Sequence, residues 1–167
     1  MVTGERVKKA PNKVAFAVIT VSSSLTEKED TLGATIAETM SNAGHEIVVK
    51  EIVKEEIAEI QRALREIIED DRIQAVIING STGISKRAVT LEAVSHFEEK
   101  SLPGFGELLR TLSYKDVGSA AISLRASAFI SEGKVVFCIP DYEKAAKLAT
   151  QKIIAPEAGR LAREASQ

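Results

Sequence analysis

This chain is poor in the residues that most often mark a site. Among its 167 residues there is no tryptophan, two tyrosines, five phenylalanines, one cysteine and two histidines. A single cysteine, Cys138, excludes an internal disulfide and a cysteine-based zinc centre. It lies in the apolar run Val135-Val136-Phe137-Cys138-Ile139, where a small buried hydrophobe is the expectation rather than a nucleophile. His45 and His96 are too far apart in sequence to form a local metal-ligand pair. No Gly-x-Ser-x-Gly elbow, Walker ending or Gly-x-Gly-x-x-Gly fingerprint occurs. The formal charge of −2 gives no electrostatic case for nucleic acid as a partner. No apolar run is long enough for a membrane span, and none near Met1 resembles a signal peptide, so a cytoplasmic location is expected.

What is present is alternation. Residues 1–12 read as a flexible polar lead-in, and residues 13–167 as one domain. Lys13–Val21 and Gln74–Ile78 are near-continuous apolar runs, the pattern of buried parallel strands, and Glu46–Val53 is a third strand. Between them, Leu32, Ile36 and Met40 line one helical face after the N-cap candidates Asp30 and Thr31. Ile57, Ile60, Leu64, Ile67 and Ile68 do the same over Glu55–Asp70. Helices are further expected over Thr90–Glu99, Glu107–Ser113, Gly118–Ala126, Glu143–Lys152 and from Pro156. Ala128–Ser131 and Val135–Ile139 flank Glu132-Gly133 as a hairpin. The order predicts an α/β fold: a three-layer, doubly wound, mostly parallel sheet with an antiparallel edge from the hairpin.

On such a sheet, ligands sit beyond the carboxyl ends of the strands. Four loops meet there: Thr20–Ser24, Val53–Glu56, Asn79–Gly83 and Ile139–Asp141. Asn79-Gly80-Ser81-Thr82-Gly83 stops an apolar strand in glycines and hydroxyls. It is either an anion-holding turn, in which backbone N–H groups face a phosphate, or only a tight turn. The hydroxyls of the first loop, Thr20, Ser22, Ser23, Ser24 and Thr26, suit phosphate or are ordinary loop residues. Asp30, Glu55 and Glu107 near helix starts are either Mg²⁺ ligands opposite a nucleotide or favourable helix-terminal charges. A flavin-phosphate reading of the first loop is weakened by the scarcity of aromatic side chains to sandwich the ring.

Several segments together resemble the molybdenum cofactor biosynthesis protein B (MoaB/MogA) family. They are Ile19-Thr20-Val21-Ser22, Asp30-Thr31-Leu32-Gly33, Ala43-Gly44-His45-Glu46, the Asn79–Gly83 loop, Arg87-Ala88-Val89-Thr90-Leu91-Glu92-Ala93, Pro103-Gly104-Phe105-Gly106-Glu107-Leu108, Arg125-Ala126 and Ile154-Ala155-Pro156-Glu157. The resemblance implies a molybdopterin-binding fold that assembles as a homotrimer or dimer of trimers. It further implies molybdopterin as substrate and Mg²⁺ with ATP as co-substrate, for adenylylation of the pterin's terminal phosphate; no tightly bound cofactor is expected. Carried onto this chain, it makes Glu55, Asp30 and Arg87 the candidates for catalysis, the first two also for Mg²⁺. Ser22, Asn79, Gly80, Ser81, Thr82, Gly83, Glu107, Pro140 and Asp141 become the candidates for substrate binding. The chain departs from the family pattern at Ser81 and Asp141, each at a usual glycine, at Ala88 for an aspartate, and at Lys54-Glu55 for Pro-Asp. It departs again at Leu124, where a hydroxyl is lost, and at Phe129 for a glycine. These departures are expected to converge on one pocket, and they keep a second possibility open, a catalytically impaired member that binds pterin or a partner.

Overall fold

The computed structural model describes residues 13–167; the expected lead-in lies outside the described residues. Six strands form one sheet in the order β2-β1-β3-β6-β5-β4. They are β1 (Ala15–Val21), β2 (Glu46–Val53), β3 (Ala75–Asn79), β4 (Lys100–Ser101), β5 (Ser127–Ser131) and β6 (Lys134–Ile139). β2, β1, β3 and β6 run parallel, and only β5 runs against its neighbours on both sides. β3 and β6 are buried along their whole length, which is why their sequences carry no polar alternation.

Side-chain alternation along the strands splits the core into two layers of packing. Phe16 and Val18 of β1 join Ile77 of β3 and Phe137 of β6 on one face. Helices α1 (Thr31–Asn42), α4 (Pro103–Val117), α5 (Glu143–Leu148) and α6 (Ala155–Ala165) cover that face. Ala17, Ile19, Ile78 and Cys138 point to the other, under α2 (Ile57–Glu69) and α3 (Thr90–Val94). The three-layer α/β arrangement is therefore as the sequence implies. The α2 stripe Ile60, Leu64, Ile67 and Ile68 is fully or nearly buried. Each such side chain contributes about 1.5–3 kcal/mol. His45 is buried as well, its Nδ1 accepting from the Val14 N–H and its Nε2 facing the Ala155 carbonyl. Cys138 is the small core residue expected, and burial pushes its thiol up to about 12.

Four local expectations change. The hairpin is present, with Glu132 and Gly133 at φ 44° and 78° as a two-residue turn between right-twisted strands requires. β6, however, is an interior strand, and the edge belongs to the two-residue β4, which no periodicity could reveal. The helix expected over Thr90–Glu99 stops at Val94 and passes through a 3₁₀ turn at Ser95–Phe97 into that edge. The helix expected over Glu143–Lys152 does not end before Pro156. α5 continues through a π-helical stretch, Ala149–Ile154, into α6. The wider π turn stands just ahead of the proline, whose ring and missing N–H disfavour a regular turn at that point. The helix expected over Glu107–Ser113 is longer at both ends, starting with Pro103 in its first turn.

Candidate functional site

The strand order reverses at β1, with β2 on one side and β3 on the other. Beyond the carboxyl ends of these strands lies a cleft of about 350 Å³. The loop after β1, the start of α1, Glu55 after β2, Asn79–Ser81 and Arg87 after β3, and Asp141 after β6 line it. All four loops the sequence brings together thus meet around one space, two of them through a single residue each, Glu55 and Asp141, at the switch point where open sheets hold ligands.

The floor of the cleft is a hydrogen-bonded chain. Asn79 Nδ2 donates to the Ile19 carbonyl and to Thr20 Oγ1 (3.1 and 3.0 Å). The Thr20 hydroxyl donates to Asp30 Oδ2 at 2.6 Å, and Asp30 Oδ1 accepts from the Gly33 N–H at 2.9 Å. Asp30 is 1% exposed and is the N-cap of α1. Both its oxygens are thus engaged in holding α1 against β1. A side chain at residue 33 could not coexist with this arrangement, because a Cβ there would stand 2.1 Å from Asp30 Oδ2. Asn79 Oδ1 is buried and has no partner among the described residues. It is an acceptor left over at the bottom of the cleft.

Two loops of similar composition line the cleft in different states. In the loop after β1, Ser22 N–H donates to the Val53 carbonyl, and Ser22 Oγ accepts from the Ser24 and Leu25 amides. Glu29 accepts from the Thr26 amide and hydroxyl, both at 2.8 Å. Those Thr26 hydrogen bonds, backbone first, hold the Glu29 carboxyl below the ordinary range. Ser23 Oγ is spent on the Glu55 N–H.

In the loop after β3 the side chains tie the base and leave the amides open. Gly80 N–H donates to the Ile139 carbonyl, Thr90 N–H to the Ser81 carbonyl, and Thr90 Oγ1 to the Gly80 carbonyl. Val89 N–H donates to Ser81 Oγ at 3.0 Å. The amides from Ser81 to Arg87 donate to no acceptor among the described residues. Gly80 has φ 95°, and a Cβ there would meet the Val21 carbonyl at 2.7 Å, so only glycine fits. Ser81 adopts the left-handed conformation itself, φ 55°. The substitution costs about 1 kcal/mol of backbone strain. Its hydroxyl offsets that strain by closing the loop.

The cleft is acidic. Glu29, Asp30, Glu55 and Asp141 line it, against one guanidinium, Arg87. Arg87 stands 3.5 Å from Glu55 across the mouth, with the arginine largely exposed and the glutamate mostly covered.

Of the sequence candidates, Ser22, Asp30, Glu55, Asn79, Gly80, Ser81, Arg87 and Asp141 line the cleft. Thr82, Gly83, Pro140 and Glu107 do not. Thr82 is buried beside Ser81, and Gly83 turns its carbonyl to Arg125. Glu107 is an exposed residue in the second turn of α4, away from the lining. The expectation that the family departures converge on one pocket holds for Glu55, Ser81 and Asp141. Ala88, Leu124 and Phe129 correct it: none of the three lines the cleft, and the Phe129 ring is fully buried in β5, packed in the core under α2 and α3. Asp141 lines the cleft and makes no capping bond to α5, whose N-cap residue is Tyr142. Thr31, Leu32 and Leu25 also line the cleft. Thr31 and Leu32 stood in the sequence as an N-cap candidate and a helix-face residue, and Leu25 carried no signal beyond its place in the first loop.

Comparison with known proteins follows the same outline. Residues 17–160 match the model of a family described as a probable molybdopterin binding domain. The chain belongs to that family. Molybdenum cofactor biosynthesis protein B of Bacillus subtilis is 43% identical over 161 residues, spanning 96% of this chain and 95% of its own. The protein of the same name from Escherichia coli K12 is 34% identical over 142 residues, 85% and 84% of the two chains. A crystal structure of a molybdenum cofactor biosynthesis protein B superposes with a TM-score of 0.90 at 39% identity, covering 94% of this chain and 98% of that one. The tungsten cofactor synthesizing protein MoaB of Pyrococcus furiosus gives 0.84 at 35% identity, covering 95% and 100%. Membership in the molybdopterin-binding family assigns the chain a role in molybdenum cofactor biosynthesis.

Proposed function

We propose that the protein binds molybdopterin in the cleft between β1 and β3 and, with Mg²⁺ and ATP, transfers adenylate to its terminal phosphate. The observation that carries the reading is the run of amides without acceptors from Ser81 to Arg87, whose two ends line the cleft, beside the single lining guanidinium of Arg87. Unpaired N–H groups in a concave loop hold phosphate oxygens. A phosphate oxygen of molybdopterin attacks the α-phosphorus of ATP, a new P–O bond forms, and the bond to the leaving pyrophosphate breaks. Two anions must approach in a cleft that is itself acidic, so a divalent cation is required to offset the repulsion.

The residues fit a magnesium ion shared with a nucleotide. Mg²⁺ commonly takes one or two carboxylates and completes its octahedron with phosphates and water. Glu55, paired with Arg87 alone, and Asp141 are the lining carboxylates with spare capacity, and Glu55 is the proposed Mg²⁺ ligand; Asp30, with both oxygens hydrogen-bonded, serves by fixing the loop after β1 against α1. Arg87 is the counter-cation for the phosphates. Ser22, Asn79, Gly80, Ser81, Thr82, Gly83 and Asp141 form or flank the binding surface. Pro140 is buried behind Asp141, and the exposed Glu107 joins the surface only through an assembly, in this reading a cytoplasmic homotrimer or dimer of trimers. The exposed Leu108, Tyr114 and Ile122 of the α4 region supply apolar surface for that assembly.

A second reading, a pterin-binding member without turnover, is favoured by one observation: Ala88 places a methyl group on the loop between Arg87 and Val89 where the family carries a carboxylate. The experiment is formation of adenylylated molybdopterin by the purified protein with Mg²⁺ and ATP. Product at many turnovers, reduced at least tenfold in Glu55→Ala, is the expected result. Molybdopterin binding without product would favour the second reading, and Ala88→Asp is then the variant to assay.

A further inference from the structure

The loop after β3 is held from two sides. Its base is tied by Ser81, Thr90 and Gly80. Its outer limb rests on a residue from a different part of the chain: Arg125, just ahead of β5, donates through Nη1 to the Gly83 carbonyl at 2.9 Å. The other terminal nitrogen of Arg125 pairs with Glu92 of α3. Neither Arg125 nor Glu92 lines the cleft. A peptide unit places its C=O and the following N–H on opposite sides. Fixing the Gly83 carbonyl on Arg125 therefore fixes the direction of the Ile84 N–H, one of the unpaired donors. Ile84, Ser85, Lys86 and Arg87 are themselves exposed or nearly so and make few contacts of their own. Within 82–87, only the Ser85 carbonyl accepts a backbone amide from the described residues, that of Ala88.

We infer that Arg125 is a positioning residue for the anion loop: braced by Glu92, it clamps Gly83 and holds the Ser81–Arg87 amides in the orientation that receives a phosphate. The inference rests on the anion-binding reading of that loop and adds the residues that shape it. Two partners in different directions need the fork of a guanidinium; a lysine ammonium at residue 125 would have to choose between them. Glu92 is suited to the brace. Burial opposes its ionisation, yet the hydrogen bond from Arg125 holds its carboxyl below the ordinary range.

The loop supplies its own readout, since Lys86 and Arg87 are trypsin sites on the clamped limb, and Lys28 in the loop after β1 is an internal control. The experiment compares wild type, Arg125→Lys and Glu92→Gln as full-length native protein. Limited trypsinolysis is followed at each site, titration with Mg²⁺ and inorganic pyrophosphate is followed by calorimetry, and Tm is recorded. Both variants should be cut after Lys86 and Arg87 at least about fivefold faster, with cleavage after Lys28 unchanged. Pyrophosphate affinity should fall about tenfold, the scale of a misplaced binding group. Unchanged cleavage after Lys86 and Arg87, or faster cleavage there with full affinity, overturns the clamp. General acceleration at all sites with a lowered Tm also overturns it, in favour of a plain stability role. Wild type that binds no pyrophosphate overturns the anion-loop reading itself, which is a separate failure and removes the purpose of the clamp.

Discussion

The loop after β1 and the loop after β3 are both rich in serine, threonine or glycine, and both line one cleft, but they spend their hydrogen-bonding capacity differently. In the first, Ser22 and Glu29 accept the amides of Ser24, Leu25 and Thr26, so the loop largely satisfies itself. In the second, the Ser81 and Thr90 hydroxyls bond at the base, and the amides from Ser81 to Arg87 find no acceptor among the described residues. A hydroxyl can therefore serve a site in two ways: by meeting a ligand, or by removing a competing donor. Composition does not distinguish these; the position of each acceptor relative to the backbone does.

The contrast predicts a sharp split between two glycines of the same loop. Gly80→Ala forces a Cβ into the Val21 carbonyl at a φ that L-residues resist. It should cost about 3 kcal/mol or prevent folding. Gly83 has open space around the Cβ position. Gly83→Ala should stay within about 0.5 kcal/mol. Urea midpoints of the two variants check this, and equal midpoints would show that the tight approach of the β3 loop to β1 is absent.

Asp30 sharpens the comparison next. Asp30→Ala removes the α1 cap and orphans the Thr20 hydroxyl in a buried setting. A loss of about 2 kcal/mol is expected. Stability unchanged alongside lost Mg²⁺-dependent binding would make Asp30 a metal ligand instead of a cap. Ser22→Ala should cost about 1 kcal/mol or less, since it frees two exposed amides. Pyrophosphate affinity should change less than about twofold by calorimetry, well under the threshold of a lost direct phosphate contact; a tenfold loss would make the Ser22 hydroxyl a ligand contact.

The smallest effect is one of pH. Glu92 is depressed in the folded state, so its contribution is present above the ordinary glutamate value of 4.5 and is lost as pH falls through its folded value. Wild type should exceed Glu92→Gln in Tm at pH 6, and the two curves should approach each other as pH falls below 4.5. Curves that stay parallel would mean that the Arg125–Glu92 pair does not form in solution.

Much of this was legible in the sequence because the relevant signals are local. The β-branched runs of β1 and β3, the Ile stripe of α2 and the Asp30 cap each declare themselves within a few residues. The cleft was legible at one remove, since alternation places strand ends together. What was hidden depends on distant partners. The Lys100–Ser101 edge is a strand only because Ile130 and Phe129 stand beside it. Phe129 reads as a pocket departure until the sheet shows its ring facing the core. Arg125 lies 42 positions from the carbonyl it clamps, beyond any spacing rule. Glu107 reads as a helix-start carboxylate near the site, but Pro103 starts α4 a turn earlier and leaves it outside the lining.

The most direct test of the phosphate-holding role of the β3 loop is amide hydrogen exchange with and without Mg²⁺ and inorganic pyrophosphate. Protection confined to peptides spanning Ser81–Arg87, with Ser22–Thr26 unchanged, is the predicted result. Protection over Ser22–Thr26 with none over Ser81–Arg87 would contradict it.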